Sequence, residues 1–335
     1  MGSQVPLWRD ARKLAILAQV LFVAGVAAAV WLVKVTVEAS LARQNVRINW
    51  GFLWQPAGFD LTALTWTLDL RNWRFVPYSP ENTYAEAMIA GLINTLRVAS
   101  VGIVLAFLLG LVVGVTRLSR NWLISRLSLA YVEFLRNTPL LAQLFFWYFA
   151  IFLRLPPGTP QHPPLHLFGT LVTLTNQGLV IGGVAVERFG RTLFEGGFQM
   201  RSEYAALLIG LSVYTSAFIA EIIRGGIQAV HRGQMEAARS LGLTYLQSLR
   251  HILLPQTLRM IIPPLGNQFL NLTKNSSLAI AIGYADLLTA ANTVSSQSFR
   301  SLETFTVVTM TYLVLSLIIS AILNAVRARM VIPGM

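Results

Sequence analysis

Along the chain, long apolar runs alternate with polar segments too charged to sit in lipid. Charge-free apolar runs cover residues 14–33, 98–116, 137–153, 204–220 and 304–326. A membrane-spanning helix needs about 20 apolar residues, with roughly 17 as the lower limit, so each run is predicted to cross a bilayer. A sixth region, about 257–285, is interrupted by Arg259 and Lys274 but is otherwise apolar. The pattern predicts an all-α polytopic membrane protein of about six helices. The first run follows WRDARK and is longer than the roughly 7–15 residues of a signal-peptide core. With no small-x-small site close behind it, it reads as an uncleaved anchor.

Between the runs, two segments expected outside are long. Residues 34–87 are rich in aromatics and turns (NWGFLWQPAGFD, RNWRFVPYSPEN), unlike a floppy linker. Tryptophan is also favoured at a membrane interface. Residues 154–203 contain FGTLVTLTNQGLVIGGVAV, almost long enough to span, which is read as a periplasmic or interfacial insertion. The predicted organisation is an anchor helix plus aromatic outer segment (1–87), a permeating domain (88–327) and a short tail (328–335). The pairs Gly110/Gly114 and Gly178/Gly182 have the small-xxx-small spacing of closely packed helices.

Composition agrees: only 12% of residues are charged, where soluble domains carry roughly 25%. The net charge of +12 raises the question of nucleic acid, but its distribution excludes that reading. With the N-terminus inside, segments 1–13, 117–136, 221–259 and 327–335 hold 14 Lys/Arg against 4 Asp/Glu. The outer segments hold 11 against 10, Lys274 apart. This is the positive-inside bias, and it places both termini in the cytoplasm. An extra crossing within 154–203 spoils it.

Catalytic chemistry is hard to find. There is no cysteine, and none of the three lysines (Lys13, Lys34, Lys274) follows a glycine as a phosphate-wrapping P-loop requires. His162 and His166 are separated by Pro163–Pro164, which breaks any helix that would align them on a metal; His231 and His251 stand apart. No cofactor is expected on this chain.

Residues 236–255, EAARSLGLTYLQSLRHILLP, are polar, basic and helix-patterned, yet lie between apolar runs. Ala237, Leu241, Leu249, Ile252 and Leu253 take apolar positions, Arg239, Gln247 and Arg250 remain available to water or a partner, Gly242 offers a turn, and Pro255 starts the next helix. By pattern alone an amphipathic interfacial helix fits equally well. The stretch resembles the EAA–three–G–nine–I-x-L-P signature of permease subunits of bacterial ABC importers. GLINTLRVASVGIVLAFLLGLVVG, YVEFLRNTPLLAQLFFWYF, YTSAFIAEIIRGGIQAVHRGQ and NLTKNSSLAIAIGYADLL resemble the polar amino-acid uptake permeases, over about 85–335. QPAGFDL and TNQGL are similar to the general L-amino-acid subgroup. Tyr284-Ala285-Asp286 departs from the Tyr-Pro-Asp of that group.

The resemblance implies a type I importer with a MetI-like permease fold in the bacterial inner membrane. It implies an L-amino-acid substrate and a periplasmic amino-acid-binding protein. A second permease, a related chain rather than a copy, and a separate ABC ATPase that carries ATP and Mg complete the set. Glu236, Ala237, Ala238, Gly242, Ile252, Leu254 and Pro255 are then expected to couple to the ATPase: Glu236 as a polar contact or cap, Ala237 for close approach, Gly242 for the turn.

Lys274 lies in a predicted span among Asn271, Asn275, Ser276 and Ser277. An intramembrane charge costs about 2.5–3.5 kcal/mol, so it faces a cavity or partner, or else snorkels or pairs with Asp286. A helix starting near Met260 puts it at the outer surface, and one starting after Pro263–Pro264 puts it near the centre. Glu133/Arg136 and Glu221/Arg224 are spaced for intrahelical pairing. Pro139 is placed to kink the third span. Two rival functions remain: an ion-gradient-driven secondary transporter, which would need paired interrupted spans and intramembrane carboxylates, and a non-transporting receptor or scaffold.

Overall fold

A computed structural model describes residues 11–43, 48–61, 65–159, 161–188 and 191–329. The chain divides into two compact units, Met1–Trp50 and Gly51–Met335. The described part of the first is mainly the helix α1 (Ala11–Arg43), which extends the predicted anchor beyond the charge-free run at both ends. Near its C-terminal end Lys34 and Glu38 pair at 3.8 Å, one turn apart.

The second unit is a helical bundle. The helix α2 (Tyr84–Thr116) starts fourteen residues before the apolar run that announces it, because Thr83 and Glu86 form a capping box. The Thr83 hydroxyl accepts from the Glu86 N–H at 3.3 Å, and the Glu86 carboxylate accepts from the Thr83 N–H at 2.8 Å. After a short turn comes the amphipathic α3 (Trp122–Asn137). Thr138 and Pro139 are extended, so Pro139 breaks the chain rather than kinking a helix. From there α4 (Leu140–Phe145) runs on through a π turn (Phe146–Ile151) and a 3-10 turn (Phe152–Arg154). At 1.5 Å per residue this element is about 22 Å long, shorter than the ~30 Å hydrocarbon layer.

Most buried is α5 (Ser202–Ala229), which lies along α2. A Cβ on Gly110 would come within 2.6 Å of the Ile219 side chain, and one on Gly114 within 2.7 Å of the Ala220 carbonyl. The first small-xxx-small pair therefore does bring two helices together. Leu144, Leu207, Leu211, Ile219, Ile223 and Leu272, the last from the helix at Leu254–Asn275, fill the space against α2, α4 and α5, all fully buried.

Short helices α6 (Arg232–Ser240) and α7 (Tyr245–Ser248) lead, through a π turn at Leu249–Leu253, into α8 (Leu254–Asn275). Pro263 and Pro264 lie inside α8 without ending it. A 3-10 stretch (Ser276–Ile282) ends at Gly283, in the left-handed conformation at φ +76, and the chain turns by 52° into α9 (Leu287–Ser298). Last comes α10 (Ser301–Arg329). Among the described residues four helices are long and apolar enough to cross a membrane, or five if the bent pair is one span. The sixth expected crossing is the short Leu140–Arg154 element.

The segments expected outside are β-structured, which the apolar count alone did not predict. β1 (Trp66–Asp69) and β2 (Arg74–Pro77) form a hairpin. In the insertion, β3 (Leu165–Leu167), β4 (Val172–Thr175), β5 (Gly178–Ile181) and β8 (Phe198–Arg201) make an antiparallel sheet in that order, while β6 (Val184–Arg188) and β7 (Arg191–Glu195) pair separately. Thr173, Thr175, Gly178 and Val180 are buried with the period of two that a strand imposes. Gly178 and Gly182 are thus strand and turn residues, not a helix-packing pair.

Candidate functional site

The segment 236–255 folds as two helices around one glycine. At the end of α6, Leu243 N–H donates to Ala238 O at 3.1 Å and Gly242 N–H to Arg239 O at 2.9 Å. Both bonds belong to a Schellman stop, with Gly242 at φ +79, a left-handed conformation that costs other residues roughly 1–2 kcal/mol. Ala238 is buried beneath this turn, whereas Glu236, Ala237 and Gly242 face outward. Glu236 sits mid-helix, so it is not a cap; His231 caps α6 by accepting from Gly233 N–H at 3.1 Å. Thr244 then starts α7 with a second capping box, its N–H donating to Gln247 Oε1 at 2.9 Å.

This break divides the apolar positions that sequence periodicity treated as one set. Leu249, Ile252 and Leu253 are half-buried, as is Pro255, while Leu254 is exposed. Leu241 and Leu246 project outward at 82% and 71% exposure, next to Tyr245, over which Arg239 lies at 6.0 Å. Large apolar side chains exposed on a polar, charged segment outside the spans are the composition of a docking surface. The sequence reading counted Leu241 among the helix's apolar positions, and Leu246 escaped it.

A second candidate lies on α8. Its exposed positions Met260, Pro263, Asn267, Asn271 and Lys274 recur every three or four residues and form one stripe. Asn275 and Ser277 are half-exposed beside it, and Ser276 is buried, its hydroxyl donating to Thr273 O at 2.8 Å. Neither start proposed for this helix is right: α8 begins at Leu254 and passes through the prolines. Its neighbours fix the depth of Lys274 instead. Leu272 packs where a Cβ on Gly102 would lie 3.4 Å away, and Gly102 is near the middle of α2. Lys274 therefore lies within a turn of the level of Gly102, inside the apolar run of α2. Its expected alternative partner, Asp286, is occupied elsewhere as the N-cap of α9, accepting from Thr289 N–H at 2.9 Å and Thr289 Oγ1 at 2.7 Å.

The break between the 3-10 stretch and α9 is held by α2. Asn94 Nδ2 donates to Ala285 O at 2.8 Å, and Leu287 N–H donates to Thr95 Oγ1 at 3.1 Å. Beside it is a cavity of about 180 Å³ walled by Trp66, Asn94, Arg97, Glu203, Tyr204 and Tyr284. Arg97 stacks 4.8 Å over the Tyr204 ring and has no carboxylate partner among the described residues. Periodicity missed it by starting the span at residue 98; the Thr83-x-x-Glu86 signal would have placed it four turns inside a helix.

The paired charges divide. Glu221 and Arg224 do pair, at 2.9 Å, and Arg117 joins Glu221 from the end of α2. Glu133 and Arg136 do not: Glu133 accepts from Asn137 Nδ2 at 3.1 Å, and Arg136 lies 5.2 Å over the Phe218 ring. Among the described residues no cluster of His, Cys, Asp or Glu is arranged to hold a metal.

Residues 102–332 match the family described as binding-protein-dependent transport system inner membrane component. The chain belongs to that family. The permease is 38% identical to the putative amino-acid ABC transporter permease YhdX of Escherichia coli K12, over 90% of each chain. It is 34% identical to the general L-amino acid transport system permease AapQ of Rhizobium johnstonii, over 96% of this chain and 93% of the relative. Among solved structures it is similar to an amino acid ABC transporter described with histidines, at 30% identity and a TM-score of 0.55, over 73% of this chain and 95% of the other. A MetNI methionine transporter in an inward-facing conformation matches at 20% identity and TM-score 0.52, which speaks for the fold alone.

The permease thus has the MetI-like fold and is a multi-pass inner-membrane component of an ABC importer family, in which the ATPase and the binding protein are separate partners. That membership removes the ion-driven transporter and the scaffold as readings of the whole chain. The structural match leaves about a quarter of the chain uncovered.

Proposed function

We propose that this permease forms half of the path of an ATP-driven, binding-protein-dependent importer of L-amino acids, with both termini cytoplasmic. The second half is a related permease, a reading supported by the likeness to a general L-amino acid transport system permease over almost the whole chain. The observation that carries the path is the α8 stripe. Asn267, Asn271 and Lys274 are exposed along one face of a helix in an apolar bundle, with Lys274 near the level of Gly102. Facing lipid, the ammonium alone would cost about 2.5–3.5 kcal/mol. Facing a second permease across a wet path, it meets a substrate carboxylate instead. Arg97 in its cavity offers a second cation nearer the outer ends of α2 and α5.

Coupling falls to residues 236–255. ATP, with Mg, binds the partner ATPase; closure of the ATPase pair draws the segment inward and turns the path outward to receive an amino acid from the periplasmic binding protein. Hydrolysis returns it. Glu236, Ala237 and Gly242 face the ATPase together with Leu241 and Leu246, while Ala238, Ile252 and Pro255 hold the turn on α8.

The test is uptake of labelled amino acids into vesicles holding this chain, its related permease and the ATPase, with the binding protein outside. Uptake that requires both ATP and the binding protein supports the proposal; uptake driven by an ion gradient without the ATPase sinks it.

A further inference from the structure

We infer that the ends of α2, α3 and α5 form a binding site for the phosphodiester headgroup of an anionic phospholipid. The inference does not rest on which substrate is carried.

A cavity of about 430 Å³ lies where α2 ends, α3 begins and α5 ends, and Arg117, Arg120, Arg126, Arg224, Trp122 and Gln228 line it. Four guanidiniums thus share one hollow, with no carboxylate in its wall. The nearest acid is Glu221, engaged by both Arg117 and Arg224. Arg120 and Arg126 make no ion pair among the described residues and are exposed. Burial, and then the charge of Arg224, pull the Arg117 guanidinium below its ordinary range, as expected where positive charge is crowded and only partly neutralised. Such a hollow suits an anion with several acceptor oxygens, and guanidinium forks match phosphate geometry.

The surroundings select a lipid over a soluble phosphate. The cavity sits at the end of two long apolar helices, the level of a headgroup. Trp122 projects at 71% exposure, and Leu123 and Leu127 next to it on α3 at 56% and 63%. An indole at the interface and leucines below it offer acyl chains a surface continuous with the basic hollow. A free phosphate would use the arginines and leave that apolar flank uncovered.

The test is native mass spectrometry of the purified permease in its complex, titrated with phosphatidylglycerol, phosphatidylcholine or inorganic phosphate. Phosphatidylglycerol is expected to be retained at concentrations where phosphatidylcholine is not, and millimolar phosphate should leave it in place. The double variant Arg120→Gln/Arg126→Gln should weaken retention at least tenfold, since each basic side chain at a charged surface is worth roughly fivefold. Arg120→Lys/Arg126→Lys should keep most of it. Both variants change exposed, unpaired side chains, so the thermal unfolding midpoint of the complex should not move. Equal retention by wild type and the Gln variant, or of both lipids, overturns the site. Displacement by millimolar phosphate overturns the lipid in favour of a soluble phosphate.

Discussion

At Gly242 a single residue fixes the shape of the proposed coupling surface. Its φ of +79 closes the α6 stop, and a Cβ there meets nothing within 4 Å. Gly242→Ala should therefore insert normally and cost only about 1–2 kcal/mol of local stability, from the left-handed conformation rather than from crowding. Hydrogen exchange of the α6 amides would measure it. Lys274 is the matching residue in the proposed path. Lys274→Met should leave assembly intact yet cut uptake about tenfold or more, the worth of one charge-assisted hydrogen bond at roughly 1.5–3 kcal/mol. Lys274→Arg should recover part of it; unchanged uptake in the Met variant would mean that the ammonium merely snorkels. Residue reading was strongest where backbone chemistry is local: the turn at Gly242 and a helix start at Pro255 follow from the sequence alone. Arg97 was lost because hydropathy begins a span where charge stops, whereas the helix begins where Thr83 and Glu86 satisfy its free N–H groups.

Among the elements, α6–α7 and the α2–α5 pair make separate predictions. Leu241→Ser/Leu246→Ser removes exposed side chains, so the permease should keep its unfolding temperature while its affinity for the ATPase, measured by surface-immobilised binding, falls about tenfold or more. Unaltered affinity would show that the two leucines are idle. Gly110→Val should do the opposite: with the Ile219 side chain and the Ser216 carbonyl already 2.6 and 2.9 Å from the first added carbon, α2 is pushed off α5 and little folded permease is recovered from membranes. Elements with strong local signals were legible, including α5, α10 and the small-xxx-small contact. The insertion was not, because TLVTLTNQGLVI is as apolar as a helix; only the burial of alternate residues, visible after folding, reveals strands. The break at Pro139 was misread as a kink because a proline removes one hydrogen bond in either case. Whether the helix resumes depends on Thr138, which is extended.

For the whole molecule, the sequence reading of a permease holds in family and fold, but four or five apolar spans stand among the described residues where six were expected: Leu140–Arg154 is too short, and another span is bent by 52° after Gly283. The bend borders the Arg97 cavity, whose wall includes Gly283 and Tyr284. In membranes, non-helical backbone is tolerated where it lines a path or is buried in protein. The central claim joins the two ends of this arrangement: residues 236–255 convert work done on a partner ATPase into movement of α8. The most direct measurement records ATP hydrolysis and amino-acid uptake together in reconstituted vesicles, for the wild type and for Gly242→Asp, which adds a charge at the turn. The account predicts that Gly242→Asp is inserted and folded, loses uptake, and loses the stimulation of hydrolysis by the binding protein. Wild-type uptake in that variant would contradict it.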